Sequence, residues 1–348
     1  MDAAPSYRRA VAFGSLLPLL AACVGLHGAQ LPLHRYTTAD GLASNTINDI
    51  VSDSRGFLWF ATSEGLSRFD GYSFSNLTTL NGLPHRSVSR VLVDRSGVYW
   101  IGTPNGLVRF HPERPESSPD RLVVFRPDGP RNSPVVNDIL EDRTGRIWVG
   151  TLLGVFSVDP NPANARLAAV DVGMPGKIWE DSVVNALAED SEGAIWMGMG
   201  DGTLYRRLPS GRVEHYAAAE GFPASPTGSE PFSSTAIQSL LCDRKGRIWV
   251  GTVDSLYRLI PHPRTGANII EDRPGKREGL PQTRVHTLFE SKNGDIWAGM
   301  FRALAQFPHD GGPVRVWKRN DGLPGKSIIS IAEDHDGNLW LGTDDLAP

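Results

Sequence analysis

The chain has 348 residues, with 37 Gly, 26 Pro, 21% charged residues and a formal net charge of -4. A composition so rich in turn formers, with no long helical apolar pattern, points to an all-β protein. The small negative charge and the scattered Lys and Arg residues offer no field to a polyanion, which argues against nucleic acid as a partner.

Residues 1–29 have the form of an export signal. Arg8 and Arg9 make a basic start, Val11 to Ala22 is an apolar run, and small residues follow. The run is short for a bilayer span. Leu20-Ala21-Ala22-Cys23 also fits a lipobox, in which Cys23 would carry a lipid; the alternative is ordinary cleavage near Gly25 to Ala29. Either route places the mature chain outside the cytoplasm, in the periplasm, with a lipid anchor as the sole attachment that this sequence itself offers to a membrane. Cys242 then has no disulfide partner and reads as a strand residue.

From residue 30 onward the sequence is periodic. An aliphatic strand start, an Asp-x-x-Gly turn and an apolar pair ending in Trp recur with Trp59, Trp100, Trp148, Trp196, Trp249, Trp297 and Trp340. The spacings of 41, 48, 48, 53, 48 and 43 residues suit four short strands per unit, the period of a β-propeller. The expected fold is all-β, a seven-bladed β-propeller of four-stranded antiparallel blades over 30–348, its seventh blade incomplete.

The unit can be followed in Val136–Thr151. Val136 to Asp142 reads as the innermost strand, Asp142 and Gly145 as the ends of a turn, and Ile147-Trp148-Val149-Gly150 as the second strand. The Gly two residues after Trp, replaced by Ala61 in the first unit, implies close approach of another backbone. A third strand reads Gly-Leu-x-x-Phe, as in Gly65 to Phe69, and a fourth, such as Val314 to Trp317, runs into an Asp-Gly-Leu-Pro connector. Unit six departs from the pattern with Ser291 in place of the turn Asp. Asp334-His335-Asp336-Gly337 resembles the start of a calcium loop but lacks its twelfth-position Glu, so the turn explains it.

His34 to Leu42 has the form of a fourth strand and connector with no blade before it. The seventh unit runs to Pro348 without a Gly-Leu-x-x-Phe strand. The expectation is that Leu33–Thr37 is the outer strand of the seventh blade, closing the ring as propellers do, and that the sequence is part of a longer polypeptide.

Asn48, Ser89, Asn137, Asn185, Gln238, His286 and Ser330 read as the second residue of each inner strand, a polar ring at the mouth of the axial channel on the connector side. Two explanations compete: a wet channel that tolerates polar groups, and direct contact with a ligand. Trp179, in a connector, is the candidate for stacking on a sugar or other flat ligand, the alternative being partial burial against its own loop, and the long connector Ala219 to Thr235 opens on the same side. The Pro-rich stretch His111 to Asp120 belongs to the opposite face. No metal-ligand spacing, nucleophile elbow or phosphate-binding glycine loop occurs, so neither a cofactor nor an enzymatic role is expected.

The phrase Ile-x-x-Asp-x-x-Gly-x-Ile-Trp-x-Gly-Thr-x-x-Gly-Leu with its Asp-Gly-Leu-Pro connector, repeated over residues 33–345, resembles the repeats of two-component regulator propellers. The resemblance implies the extracytoplasmic sensor of a hybrid histidine kinase or related signalling protein. Such sensors often have two propellers, an immunoglobulin-like module, a membrane helix and a cytoplasmic kinase or diguanylate cyclase, and some sense oligosaccharides. It therefore implies a small-molecule ligand, an oligosaccharide among the candidates, and a homodimer formed through the longer protein. The rival readings are a propeller enzyme similar to virginiamycin B lyase, whose family uses a magnesium-assisted His site, and a protein-binding propeller.

Overall fold

The computed structural model describes residues 33–128, 135–158, 165–172, 183–217, 236–260, 269–275, 278–324 and 327–344. These form six four-stranded antiparallel sheets and one two-stranded sheet, Ile328–Glu333 with Leu339–Thr343. In each four-stranded sheet the strands pair in chain order. The first blade is typical, running Ile47–Ser52, Leu58–Thr62, Gly65–Phe69 and Phe74–Leu77 from the axis outward. Each inner strand contacts the inner strands on either side, and the last returns to the first, where the Ile50 amide donates to Ser330 Oγ at 2.9 Å.

The turn after each inner strand shows why Asp and Gly are needed. Asp53 Oδ1 accepts the amides of Arg55 and Phe57, both at 2.9 Å, while Gly56 takes a φ of +88° that a β-carbon would oppose. The second carboxylate oxygen does further work: Asp53 Oδ2 accepts the Trp59 indole N–H at 3.0 Å. The same bond joins Asp94 to Trp100, Asp142 to Trp148, Asp190 to Trp196, Asp243 to Trp249 and Asp334 to Trp340 at 2.8–2.9 Å. A large apolar side chain can thus be buried without orphaning its one polar atom. In blades one to five every residue of the Trp-bearing strand is buried.

Close approach between blades explains the Gly after Trp. A β-carbon on Gly102 would stand 2.8 Å from Val136 Cγ1 of the next inner strand, and one on Gly299 would stand 2.7 Å from the Ile328 carbonyl oxygen. The connectors have their own logic. Gly41, Gly82 and Gly322 end short 3-10 turns in the left-handed region, which aims Leu42, Leu83 and Leu323 into the core.

Two expectations are corrected. Leu33–Thr37 forms no strand. No third strand stands between it and Leu339–Thr343 among the described residues, so its backbone has no ladder to join. It is held instead by Tyr36, whose ring stacks on Trp340 at 5.3 Å and also meets Phe69 and Phe74. The Trp340 strand is accordingly only part-buried, unlike its five counterparts. The second correction concerns Ser330. It pairs with Gly342 as Asp49 pairs with Ala61, which makes it the third residue of its inner strand. Ile329 takes the second position, so Ser330 does not share a register with the other six ring residues.

Candidate functional site

Strand direction places the loops between second and third strands, together with the connectors, on one side of the ring, and the Asp-x-x-Gly turns on the other. On the connector side the register of each inner strand slips by one residue: Ile47 faces Thr62 while Asp49 already faces Ala61, leaving Asn48 as a bulge. The same slip falls on Asn137, Asn185, Gln238 and His286. Ser89 precedes the regular pairing of its strand and bonds through its amide to the Gly102 carbonyl. Six polar residues therefore share one level near the mouth.

Four of these six bind the next blade. Asn48 Nδ2 donates to the Val88 carbonyl at 2.7 Å, Ser89 Oγ to Val136 at 2.6 Å, Asn137 Nδ2 to Val184 at 3.0 Å and Asn185 Nδ2 to Ile237 at 2.9 Å. These side chains are clasps between inner strands. Blades five and six break the series. Gln238 reaches only the carbonyl of its own neighbour Ile237, at 3.4 Å, and Ser239 makes the bond to Val285 in its stead. Among the described residues His286 forms no clasp to the next blade; burial, and then the charge of Arg284, push its pKa down to about 4, so the ring is neutral near pH 7.

One level further in, Asp49, Arg90 and Asp138 project from the first three inner strands. Arg90 Nε lies 3.3 Å from Asp138 Oδ1, and Arg90 Nη1 lies 4.0 Å from Asp49 Oδ1. About a fifth of each side chain is exposed (24% for Arg90, 19% for Asp49, 20% for Asp138), as expected of groups facing a narrow channel. Burial raises both carboxyl pKa values against the pull of Arg90. Both carboxylates are committed to the scaffold: Asp49 accepts the Val91 amide at 3.1 Å, and Asp138 accepts the Leu187 amide at 2.7 Å. Sequence reasoning missed this set, although Asp, Arg and Asp recur at one register of consecutive inner strands.

The connector side of blade six is built differently from the others. In blades one to three the turn into the third strand uses Gly65, Gly106 and Gly154 at φ of +141°, +110° and +108°. A β-carbon on Gly65 would meet the Leu77 carbonyl oxygen at 2.7 Å. Blade six has Ala303 there, and the positive φ moves back to Arg302 at +59°, the one non-glycine residue in that region among those described. Such a conformation costs on the order of 1 kcal/mol. Beside it Phe301 is 45% exposed, with the Arg302 guanidinium 4.8 Å from its ring centre. The Phe301 amide bonds to the Arg284 carbonyl at 3.1 Å, which ties this turn to the strand carrying His286.

A groove lies elsewhere, between blades five and six at the outer rim. It holds about 350 Å³ and is lined in part by Lys245, Arg247, Trp249, Arg258, Phe307 and His309. Its cations are already engaged: Arg247 with Asp243 at 2.6 Å, Arg258 with Glu271 at 2.7 Å and Lys245 with the His309 carbonyl at 2.6 Å. A similar groove of about 200 Å³ sits between blades one and two, so it is a feature of blade packing. Trp179 and the connector 219–235 lie outside the described residues, as do the leader and Cys23. Cys242 is part-buried, and burial pushes its thiol up to about 11. Among the described residues no group of three or more His, Cys, Asp and Glu side chains could hold a metal ion, and no helix is long and apolar enough to cross a membrane.

Comparison with known proteins agrees with this architecture. The chain is similar to the extracellular domains of two putative hybrid two-component systems from B. thetaiotaomicron. The first is 23% identical with a TM-score of 0.71, over 87% of this chain and 38% of that one. The second is 20% identical with a TM-score of 0.66, over 89% and 40%. The chain thus spans about two fifths of their length. A catalytically inactive virginiamycin B lyase from Staphylococcus aureus is 14% identical with a TM-score of 0.63, over 86% of this chain and 92% of that one. At these identities the likeness is one of fold. No curated protein matches in sequence. The model of the two component regulator propeller matches residues 41–64, 129–152, 231–254 and 322–345, and so the chain carries the repeats of the two-component regulator propeller family.

Proposed function

We propose that this propeller is the extracytoplasmic ligand-sensing domain of a signal-transduction protein and that it is not itself an enzyme. The observation that carries the reading is the contrast between its two faces within a chain of regulator repeats. The turns on one side latch to one another, whereas the connector side carries the Arg302 turn, unlike those of blades one to three, and two ring positions left unclasped among the described residues, Gln238 and His286. The ligand is a small molecule, an oligosaccharide first among candidates, bound at the mouth that Asn48, Ser89, Asn137, Asn185, Gln238 and His286 surround, with Ser330 deeper and Trp179 on a connector. Ser89 spends its one donor on the next blade, whereas Asn48, Asn137 and Asn185 each commit one of two amide N–H groups there and keep the other, with the carbonyl oxygen, for a ligand.

The ring is read as seven-bladed, because seven inner strands succeed one another around the axis and the last packs on the first. The two-stranded sheet is then an incomplete seventh blade. Export to the periplasm and dimerisation through a longer protein complete the proposal. A bound ligand would act by favouring one arrangement of such a dimer over another.

Isothermal titration against a panel of oligosaccharides, repeated with Gln238→Ala and His286→Ala, tests the site. Saturable binding weakened by both changes supports it. Binding that ignores both, yet is lost on altering the Asp-x-x-Gly turns, would place the site on the other face. Turnover of any panel member would favour the lyase-like alternative.

A further inference from the structure

The connector face is not equally equipped around its circumference. Blade one pairs its basic and acidic groups: Arg86 meets Glu64 at 2.6 Å. In blade two Arg126 Nε donates to the Asn105 carbonyl at 3.0 Å. Blade six presents Arg284 and Arg302, both exposed, and neither has a carboxylate within ion-pair distance among the described residues. The half-exposed Phe301 ring lies beside Arg302, and the Phe301 amide bonds to the Arg284 carbonyl. Three independent features thus coincide on one short turn: an exposed aromatic, two uncompensated guanidinium groups, and a backbone conformation that only a tight turn imposes on a residue with a β-carbon.

Each feature has a chemical meaning. An exposed aromatic face fits the flat, C–H-rich side of a ring. Guanidinium groups bind carboxylate through paired N–H donors, more strongly than neutral partners do. The Phe301 backbone also bridges to Ser327, whose amide donates to Asp344 Oδ1 at 3.0 Å, so the turn is fixed to the next inner strand and Asp344 is turned to the backbone. His286, two residues along from Arg284, feels its charge and is neutral near pH 7.

We infer that Phe301, Arg302 and Arg284 form a subsite on the connector face that takes a ligand carrying a carboxylate on a ring with a flat apolar side. This rests on the placement of recognition at the connector mouth and adds the class of ligand. Two sources share that chemistry, an acidic oligosaccharide built of uronate units and an aromatic acid.

The test is titration of the intact chain with trigalacturonate, its methyl ester, benzoate and succinate. Trigalacturonate or benzoate binds saturably, and the ester and succinate bind at least about tenfold more weakly. Binding of trigalacturonate alone identifies the acidic sugar as the source, and binding of benzoate alone the aromatic acid. Arg284→Gln and Phe301→Ala each weaken the binding by about tenfold or more. Arg302→Gly keeps the left-handed turn without its strain, so it leaves the melting temperature the same or higher while binding falls. Equal affinity for acid and ester, equal affinity for succinate, or indifference to all three substitutions overturns the subsite while leaving a neutral-sugar mouth intact. Absence of saturable binding by every carboxylate probe overturns it as well. If binding is lost instead on Arg143→Gln in the turns of the opposite face, both this subsite and the mouth fail.

Discussion

The two faces of the ring use the same kinds of residue to opposite ends. On the Asp-x-x-Gly face the second residue of the turn reaches to the next blade. Arg95 donates to the Asp142 carbonyl at 2.9 Å, Arg143 to Ser191 at 3.1 Å, Arg244 to Lys292 at 3.0 Å and Lys292 to Asp334 at 2.5 Å, and His335 meets the Asp53 carbonyl at 2.9 Å. The amides of Arg95, Arg143, Arg244 and Lys292 are in turn accepted by Glu141, Glu189, Glu290 and Glu333. On the connector face, Arg284 and Arg302 make no such bond to a neighbour among the described residues. Cations that are repeated and paired serve to hold the ring; cations that are singular and unpaired are available to something else.

The largest effect expected from breaking the scaffold side is at Trp148, which is 2% exposed and bonded to Asp142. Trp148→Ala is expected to cost about 3–5 kcal/mol, measured by denaturant unfolding, with ligand affinity unchanged in the fraction that remains folded. A similar loss of affinity at full folding would contradict the division of labour between faces. Asp142→Ala removes the turn acceptor and leaves the indole N–H buried, and a loss of about 2–3 kcal/mol is expected.

The mouth has a pH signature. His286 is held at about 4 in the fold against 6.5 in the unfolded chain. Between those values the unfolded chain binds a proton that the fold refuses, so stability is full above pH 6.5 and falls as pH drops towards 4. The change is on the order of 3 kcal/mol, and His286→Gln should flatten that part of the stability profile. A profile that keeps its slope in the variant assigns the effect to another group.

Smaller effects separate the two kinds of cation. Arg143 is half exposed, and its ion pair with Glu189 at 2.6 Å is worth up to about 1 kcal/mol. Arg143→Gln should lower the melting temperature slightly and leave binding alone, and Arg302→Gln should do the reverse. Smallest is a gain at Ser291. Blade six lacks the turn Asp, and Trp297 stacks on Trp317 at 5.5 Å without the carboxylate partner that the other six repeat tryptophans have. Asp295 sits nearby and holds its negative charge. Burial would raise its pKa, but bonds from His309, Gln306 and Asn293 bring it down to about 2. Ser291→Asp therefore restores the indole bond against like-charge repulsion, and a change of only a few tenths of a kcal/mol is expected.

Much of the scaffold was legible because it repeats. Asp and Trp six residues apart, the Gly two places after Trp and the Gly-Leu connectors each encode one backbone requirement that every blade shares. The Asp-to-Trp bond was not read, because the turn explained the Asp and the core explained the Trp, and unit six keeps its Trp without the Asp. Ser330 was misplaced because two consecutive Ile residues, Ile328 and Ile329, gave two possible strand starts, and only the pairing of Ser330 with Gly342 decides between them. Leu33–Thr37 has the sequence of an outer strand, yet a strand needs a ladder, and pattern alone cannot supply one. The ring of Asn48, Ser89, Asn137 and Asn185 was visible as a register, whereas its bonds to the next blade depend on the bulges. The Phe301–Arg302 turn was hidden because its distinction is the absence of a Gly where earlier blades have one.

The most direct test of recognition at the connector mouth is hydrogen exchange of the intact chain with and without saturating trigalacturonate, or whichever oligosaccharide proves to bind in titration. Protection confined to the segments carrying Gln238, Arg284 to His286 and Met300 to Ala303 is the predicted result. Protection centred on the turns at Asp142 to Gly145 and Asp243 to Gly246, with the connector side unchanged, would contradict it.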